Sequence, residues 1–128
     1  MELEQLEISD FVSQCSPINK LDDEIVDKIV PYFEVSHWHS DTEILTPGGK
    51  NNFLYLIRKG AVEVFDQEDN LYSHLETGDW FGYRSILHNG DIAMKARASE
   101  DSLLYHCRQM FFYRCLPNMK SSDSFFRI

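Results

Sequence analysis

Long apolar runs, paired cysteines and clusters of basic residues are all missing from this chain. No stretch of it approaches the ~20 consecutive apolar residues that a membrane-spanning helix needs. Its three cysteines, Cys15, Cys107 and Cys115, show no CxxC spacing. An odd number of cysteines without a secretory leader argues against a disulfide framework and for reduced thiols in a cytosol. Met1 is followed by Glu-Leu-Glu-Gln, not by a basic and then an apolar region, so secretion is not indicated. The 12 Lys and Arg are outnumbered by 21 Asp and Glu, and the formal charge is −9. Lys20, Lys28, Arg58, Lys59, Arg84, Lys95, Arg97 and Arg108 form no long run. An acidic surface of this kind repels phosphate backbones and anionic bilayers, which excludes nucleic acid and membrane as expected partners. There is also no GxSxG elbow, no phosphate-binding P-loop and no GxGxxG. Internal repeats and low-complexity linkers are absent too.

What the chain does have is aromatic mass: nine Phe, six Tyr and two Trp in 128 residues. With 43% hydrophobic and 26% charged residues it fits one packed domain, residues 1–128, with no expectation of disorder. Ile8, Phe11, Val12 and Cys15 stand at i, i+3, i+4 and i+7, the spacing of one helical face, so a short helix is predicted over Glu4 to Gln14. Leu3 and Leu6 lie off that face, and Ser16-Pro17 ends it. Asp22, Asp23 and Glu24 suit the first turn of a second helix, whose apolar face is Ile25, Val26, Ile29 and Val30 and which Pro31 stops.

From Tyr32 the period changes. Tyr32 to His39, Phe53 to Ile57, Ala61 to Phe65, Leu71 to Leu75, Ala93 to Ala98 and Leu103 to Cys107 read as short strands. Thr46-Pro47-Gly48-Gly49, Asp66 to Asn70 and Thr77-Gly78-Asp79 are turn signals. Arg58-Lys59-Gly60 reads as a tight hairpin, with Gly60 supplying a positive φ. Arg108 to Cys115 is predicted to return to helix and Pro117 to close it. Turn signals about every ten residues, with helices before and after, give a mainly β fold with flanking α. The organisation is a helical segment over 1–31, a β-roll over 32–107 and C-terminal helices over 108–128. The apolar end, Phe125-Phe126-Arg127-Ile128, suggests the N-terminal part of a longer protein.

Four motifs in order carry a resemblance. Thr42-Glu43-Ile44-Leu45-Thr46-Pro47-Gly48-Gly49 is similar to GExIxxxG, with Thr42 and Leu45 as departures. Leu54 to Val64 is similar to LYxIxxGxVxV. Leu75-Glu76-Thr77-Gly78-Asp79-Trp80-Phe81-Gly82 is similar to LxxGDxFG, and Ala98 to Leu104 to AxxDxxL. Together they resemble the cyclic-nucleotide-binding domain family, which includes the effector domain of the catabolite activator and the regulatory subunits of cyclic-AMP-dependent kinase. The resemblance covers residues from about 21 to 116. It implies a double-stranded β-helix, a jelly-roll of about eight strands with helices at both ends. Phe81 to Leu87, Glu100 to Tyr105 and the terminal Phe125-Phe126 further resemble a bacterial subgroup. There the domain precedes a pair of CBS domains and a nucleotidyltransferase-like region.

The family reads its ligand with a cassette: FGE, a short apolar helix, then roughly RxA. Backbone N–H groups and an arginine hold the cyclic phosphate, and the glutamate bonds the ribose 2′-hydroxyl. The matching stretch here is Phe81 to Ala93. Tyr83 stands where the glutamate would be. Ile92 stands where the arginine would be, after Asp91, which would repel a phosphate. The expected ligand-contacting residues are therefore Phe81, Gly82, Tyr83, Arg84, Ser85, Ile92 and Ala93. Arg84 and Ser85 either supply substitute contacts or serve the surface and the fold. Tyr83 either lines the pocket or fills it. Lys95 and Arg97 share a strand face, read as solvated. Gly60, Gly78 and Gly82 are read as turn glycines.

These residues imply a regulatory sensor domain with an altered cassette and no enzymatic activity. No resident cofactor is expected; the ligand, where there is one, is a nucleotide or another small anion. The expected partners are C-terminal domains of the same chain, with a homodimer left open. Two alternatives stand beside this. One is a ligand-free interaction or dimerisation module. The other is a cupin-like metal protein, suggested by His37-Trp38-His39 with Glu43. Pro31 and Lys50 replace the glycines that motif requires, and its second half is missing, so no metal site is assigned. His74, His88 and His106 have no matching context.

Overall fold

The computed structural model describes residues 3–15, 24, 27, 28 and 30–108. It opens with helix α1 (Leu3–Val12), and a 3-10 turn at Val30–Tyr32 leads into the strands. These are β1 (Glu34–Trp38), β2 (Glu43–Leu45), β3 (Phe53–Lys59), β4 (Ala61–Phe65), β5 (Leu71–Glu76) and β6 (Trp80–Phe81). A short helix, α2 (Tyr83–Leu87), is followed by β7 (Lys95–Ala98) and β8 (Ser102–Arg108). The strands form two antiparallel four-stranded sheets, ordered β1-β8-β3-β6 and β2-β7-β4-β5. The expected eight-stranded roll is what the chain forms.

Strand β3 shows how the sequence builds two cores at once. Side chains alternate across a strand, so Leu54 and Leu56 face one way and Tyr55 and Ile57 the other. Leu54 and Leu56 pack with Ile8 and Val12 of α1, with Val30, Phe33 and Tyr105. Tyr55 and Ile57 pack between the sheets with Val62, Val64, Phe81 and Leu104. A strand buried on both faces has no polar alternation, which is why Phe53 to Ile57 is an almost continuous apolar run. In α1 the predicted face is the buried one: Ile8 and Val12 are fully covered, Phe11 and Cys15 pack beside them, and Leu6 is exposed.

Several local expectations change. Arg58-Lys59-Gly60 is not a hairpin: β3 pairs with β6 and β8, whereas β4 pairs with β5 and β7. Gly60, at φ 106°, carries the chain from one sheet to the other. A Cβ there would lie 2.8 Å from Ser102 Cα, and the Ser102 hydroxyl accepts from the Ala61 N–H at 3.3 Å. The close approach of β8, not a cross-turn bond, therefore requires the glycine. The genuine hairpin is Asp66 to Asn70, where Asp66 Oδ1 accepts from the N–H groups of Glu68 and Asn70, each at 2.9 Å. Pro31 sits inside the 3-10 turn instead of ending a helix, because the first turn of such a helix needs no N–H there. Glu24, Asp27 and Lys28 are helical as predicted; the rest of that helix lies outside the described residues. Arg108 is the last residue of β8, paired with Phe53, not the start of a helix. The helices expected beyond it, and the Phe125-Phe126 end, lie outside the described residues.

Candidate functional site

The expected cassette occupies β6, α2 and the return leg to β7. Phe81 is fully buried and stacks on Tyr55, ring centroids 4.9 Å apart and 9° from parallel. Burial pushes the Tyr55 hydroxyl above its ordinary pKa. Gly82 follows at φ 95°, a left-handed conformation. A Cβ at Gly82 would stand 2.7 Å from the Phe53 carbonyl oxygen, so only glycine lets the chain turn here into α2. The far end of α2 closes on one carbonyl. Ser85 O accepts from His88 N at 3.1 Å and from Gly90 N at 2.8 Å. Asn89 and Gly90, both at positive φ, complete the turn.

The return leg is zipped to the β2–β3 loop. Gly48 N donates to Ile92 O at 3.1 Å, Ile92 N to Gly49 O at 3.2 Å and Asn51 N to Gly90 O at 2.8 Å. Lys50 and Asp91 form the bridge between these bonds, and their side chains are ion-paired. The carboxylate expected to repel a phosphate thus has a lysine of the facing loop as its partner.

A cavity opens beside this leg. Its buried lining includes Leu45, Val64, Ser85, Ile92 and Ala96, with Gly82, Arg84, Asp91, Ala93 and Met94 completing it. It holds about 20 Å³, room for roughly one water. Arg84, Ala93 and Met94 also border an open cleft of about 350 Å³ against Asp66, Gln67 and Glu68 of the β4–β5 turn. Arg84 is exposed, and among the described residues it makes no ion pair.

Of the seven residues expected at the site, Gly82, Arg84, Ser85, Ile92 and Ala93 line this cavity. Phe81 lies in the core behind it. Tyr83 neither lines nor fills the cavity: it is 3% exposed and packs in the α1-side core with Ile8, Val12 and Trp80. The first residue of α2 points to the opposite face of the cassette from Gly82 and Ser85, so a large ring goes where α1 can cover it. Ser85 is buried, and its hydroxyl donates to Gly82 O at 2.8 Å while accepting from Asn51 Nδ2 at 2.9 Å. Its proton is committed to the fold.

Sequence reasoning missed Asn51, a buried amide that bonds the cassette directly. It also missed the apolar walls Leu45, Val64 and Met94. Strand alternation marks Val64 as inward-facing, but nothing in the sequence marks Asn51 and not Asn52 as the buried one.

The histidines of the weighed metal motif lie elsewhere. His37 and His39 are exposed, and the nearest carboxylate to His39 is Asp101, at 4.0 Å. Glu43 accepts instead from the Thr46 hydroxyl at 2.8 Å. Among the described residues no three His, Cys, Asp or Glu side chains come together as a ligand set. Among them, too, no helix is long and apolar enough to cross a membrane.

Known proteins share this architecture. The cAMP-dependent protein kinase regulatory subunit of Eremothecium gossypii is 28% identical over 100 residues, 77% of this chain and 21% of that protein. The chain thus spans about a fifth of that relative's length. The cAMP-bound regulatory domain of Toxoplasma gondii PKA superposes with a TM-score of 0.77 at 18% identity, over 90% of this chain and 45% of that one. The Trypanosoma cruzi regulatory subunit of a cAMP-independent protein kinase A, bound to guanosine, gives a TM-score of 0.78 at 19% identity, over 88% of this chain and 42% of that one. The sensor domain of the Pseudomonas aeruginosa transcriptional regulator DNR gives 0.76 at 11%, over 86% and 80%. At such identities the likeness of the solved structures is one of fold. The profile of the cyclic nucleotide-binding domain matches residues 35–118, from β1 past the end of β8, and with the two sheets and the cassette in place the chain belongs to the cyclic nucleotide-binding domain family.

Proposed function

We propose that this chain is a non-catalytic regulatory domain of a cytoplasmic signal-transduction protein, one that keeps the family's cassette but not its charged reading of phosphate and ribose. The carrying observation is Ile92. At the position of the phosphate arginine stands an apolar side chain, 8% exposed, in a cavity of about 20 Å³. Tyr83, at the glutamate position, faces the other core. Losing a charged contact in a desolvated site costs about 2–5 kcal/mol, roughly one and a half to three and a half decades of affinity. The output runs to modules in the same chain. The motif resemblance favours the bacterial arrangement with CBS domains and a nucleotidyltransferase-like region.

A second reading has one observation in its favour. Arg84 is an exposed cation without an ion pair among the described residues, shared by the cavity and the outer cleft, and a small anionic ligand seated there would replace the lost arginine from the other side of the pocket.

Thermal-shift and calorimetric titration against cyclic AMP, cyclic GMP, AMP, ATP and inorganic phosphate test both. A ligand at 100 times its Kd adds about 2.7 kcal/mol, several degrees for a domain of this size. Cyclic nucleotides are expected to give no shift at micromolar concentrations. Micromolar or tighter cyclic AMP binding overturns the proposal. A shift with a non-cyclic anion that Arg84→Ala abolishes establishes the second reading.

A further inference from the structure

The β2–β3 loop does more than connect two strands. Four successive residues of it hold the cassette. Gly48 and Gly49 exchange backbone bonds with Ile92, Lys50 bridges Asp91, and Asn51 takes Gly90 through its N–H. The side chain of Asn51 then reaches the other end of α2. Its Nδ2 donates to Gly82 O at 3.3 Å and to Ser85 Oγ at 2.9 Å, as well as to Phe53 O at 2.9 Å. Its Oδ1 accepts from Phe53 N at 3.2 Å. One residue, 5% exposed, therefore ties the entry to α2, the body of α2 and its exit to the start of β3.

We infer that Asn51 is the positioning residue of the cassette, a pin that holds α2 against β3. The inference rests on the reading of Phe81 to Ala93 as the responsive segment of the domain. Physical chemistry gives the pin its strength. A buried amide with its donors and acceptor satisfied is costly to pull away, because each freed group loses its partner without gaining water. The Lys50–Asp91 pair, with both side chains about two-thirds exposed, is screened and adds little. Movement of α2 away from β3 breaks the bonds from Asn51 to Gly82 and Ser85 together. Release of the pin is thus the step that any ligand or partner acting through the cassette must drive.

Hydrogen–deuterium exchange of the whole chain tests this without any ligand, so its failure is separable from a failure of the nucleotide titrations. The variants are Asn51→Ser, too short to reach all three acceptors, and Asn51→Asp, isosteric but without the two donors. Lys50→Met serves as the control for the ion pair. In both Asn51 variants the amides of Gly90, Asp91 and Ile92 are expected to exchange about tenfold faster or more, while those of Val62 and Tyr105 in the sheets keep their wild-type protection. Lys50→Met is expected to change the same amides by less than about twofold. Three results overturn the assignment: no change at Gly90 to Ile92, a uniform acceleration across cassette and sheets, or an effect of Lys50→Met as large as that of Asn51→Ser. Should Asn51→Ser not fold, Asn51→Asp alone carries the same comparison. Should neither fold, the wild-type chain decides: Gly90, Asp91 and Ile92 must then share one protection level as a single opening unit, and unequal protection among the three overturns the pin.

Discussion

Replacing Gly82 by alanine isolates how much the cassette depends on a single missing methyl group. Two costs are expected. The φ of 95° places alanine in a region that costs about 1–2 kcal/mol. The new Cβ also stands 2.7 Å from Phe53 O and 3.3 Å from Tyr55 Cδ2, the first a backbone atom that no rotamer change moves aside. Overpacking of this kind adds about 1–3 kcal/mol. The sum is about 2–5 kcal/mol, or roughly 6–25 °C in Tm for a domain of this size. Gly78→Ala is the matched reference: its φ is 94°, yet a Cβ there meets nothing within 4 Å. It carries the backbone cost alone, about 1–2 kcal/mol. Thermal and urea melts of the two variants give the steric part by difference, expected at about 1–3 kcal/mol. Equal losses for Gly82→Ala and Gly78→Ala would refute the claim that β3 and α2 are in contact at Gly82.

Two further outcomes are expected from particular side chains. Tyr83→Glu, which restores the family's residue, is expected to destabilise the domain by about 3–5 kcal/mol and to confer no cyclic AMP affinity, because it buries a carboxylate in the apolar α1-side core, away from the cavity. Burial raises the pKa of such a glutamate, so the ionic part of the deficit is absent below the ordinary Glu value of about 4.3, grows as pH rises from there and is full only above the raised folded pKa; melts at acid and neutral pH check the sign. Asp69 is held below the ordinary carboxylate range by a hydrogen bond from Lys95 at 2.8 Å, by that ammonium's charge and then by Arg97. Its contribution is present above the unfolded pKa and is lost as pH falls through the lowered folded value. An NMR titration is expected to show the low midpoint, and Lys95→Met to raise it; an unchanged midpoint would remove the pairing.

Repeating local patterns made the strands legible, and long-range contacts decided the rest. The run at Phe53 to Ile57, the turn at Asp66 to Asn70 and the face of Ile8, Phe11, Val12 and Cys15 follow from periodicity and turn chemistry alone. Gly60 does not. A glycine at positive φ between two strands looks the same whether the strands pair with each other or part to different sheets, and the deciding contact is with Ser102, 42 positions away in the chain. The cassette shows the same division. The order of its motifs placed Gly82, Arg84, Ser85, Ile92 and Ala93 at one cavity, but a five-residue helix has too few turns to announce which face Tyr83 takes. Asn51 was invisible for a related reason: a polar residue before a strand reads as a loop, and its burial comes from α2 packing over it.

The energetics of control narrow what can act on this fold. Driving a two-state element from 1:99 to 99:1 takes about 5.5 kcal/mol of differential binding. In a charged cassette, the phosphate contact supplies a large share of that, on the scale of the 2–5 kcal/mol lost with one desolvated partner. Here Ile92 offers no such contact, Asp91 is paired with Lys50, and the Ser85 proton is held by Gly82 O. A small ligand that relied on these groups would lack most of the leverage needed to release Asn51. A surface has more to draw on, because each additional buried apolar Å² contributes about 25 cal/mol before the costs of association are subtracted. Among the described residues of α2, Tyr83, Ser85 and Ile86 are buried and Arg84 is exposed, so leverage on this cassette has to come through that guanidinium or from surface outside α2.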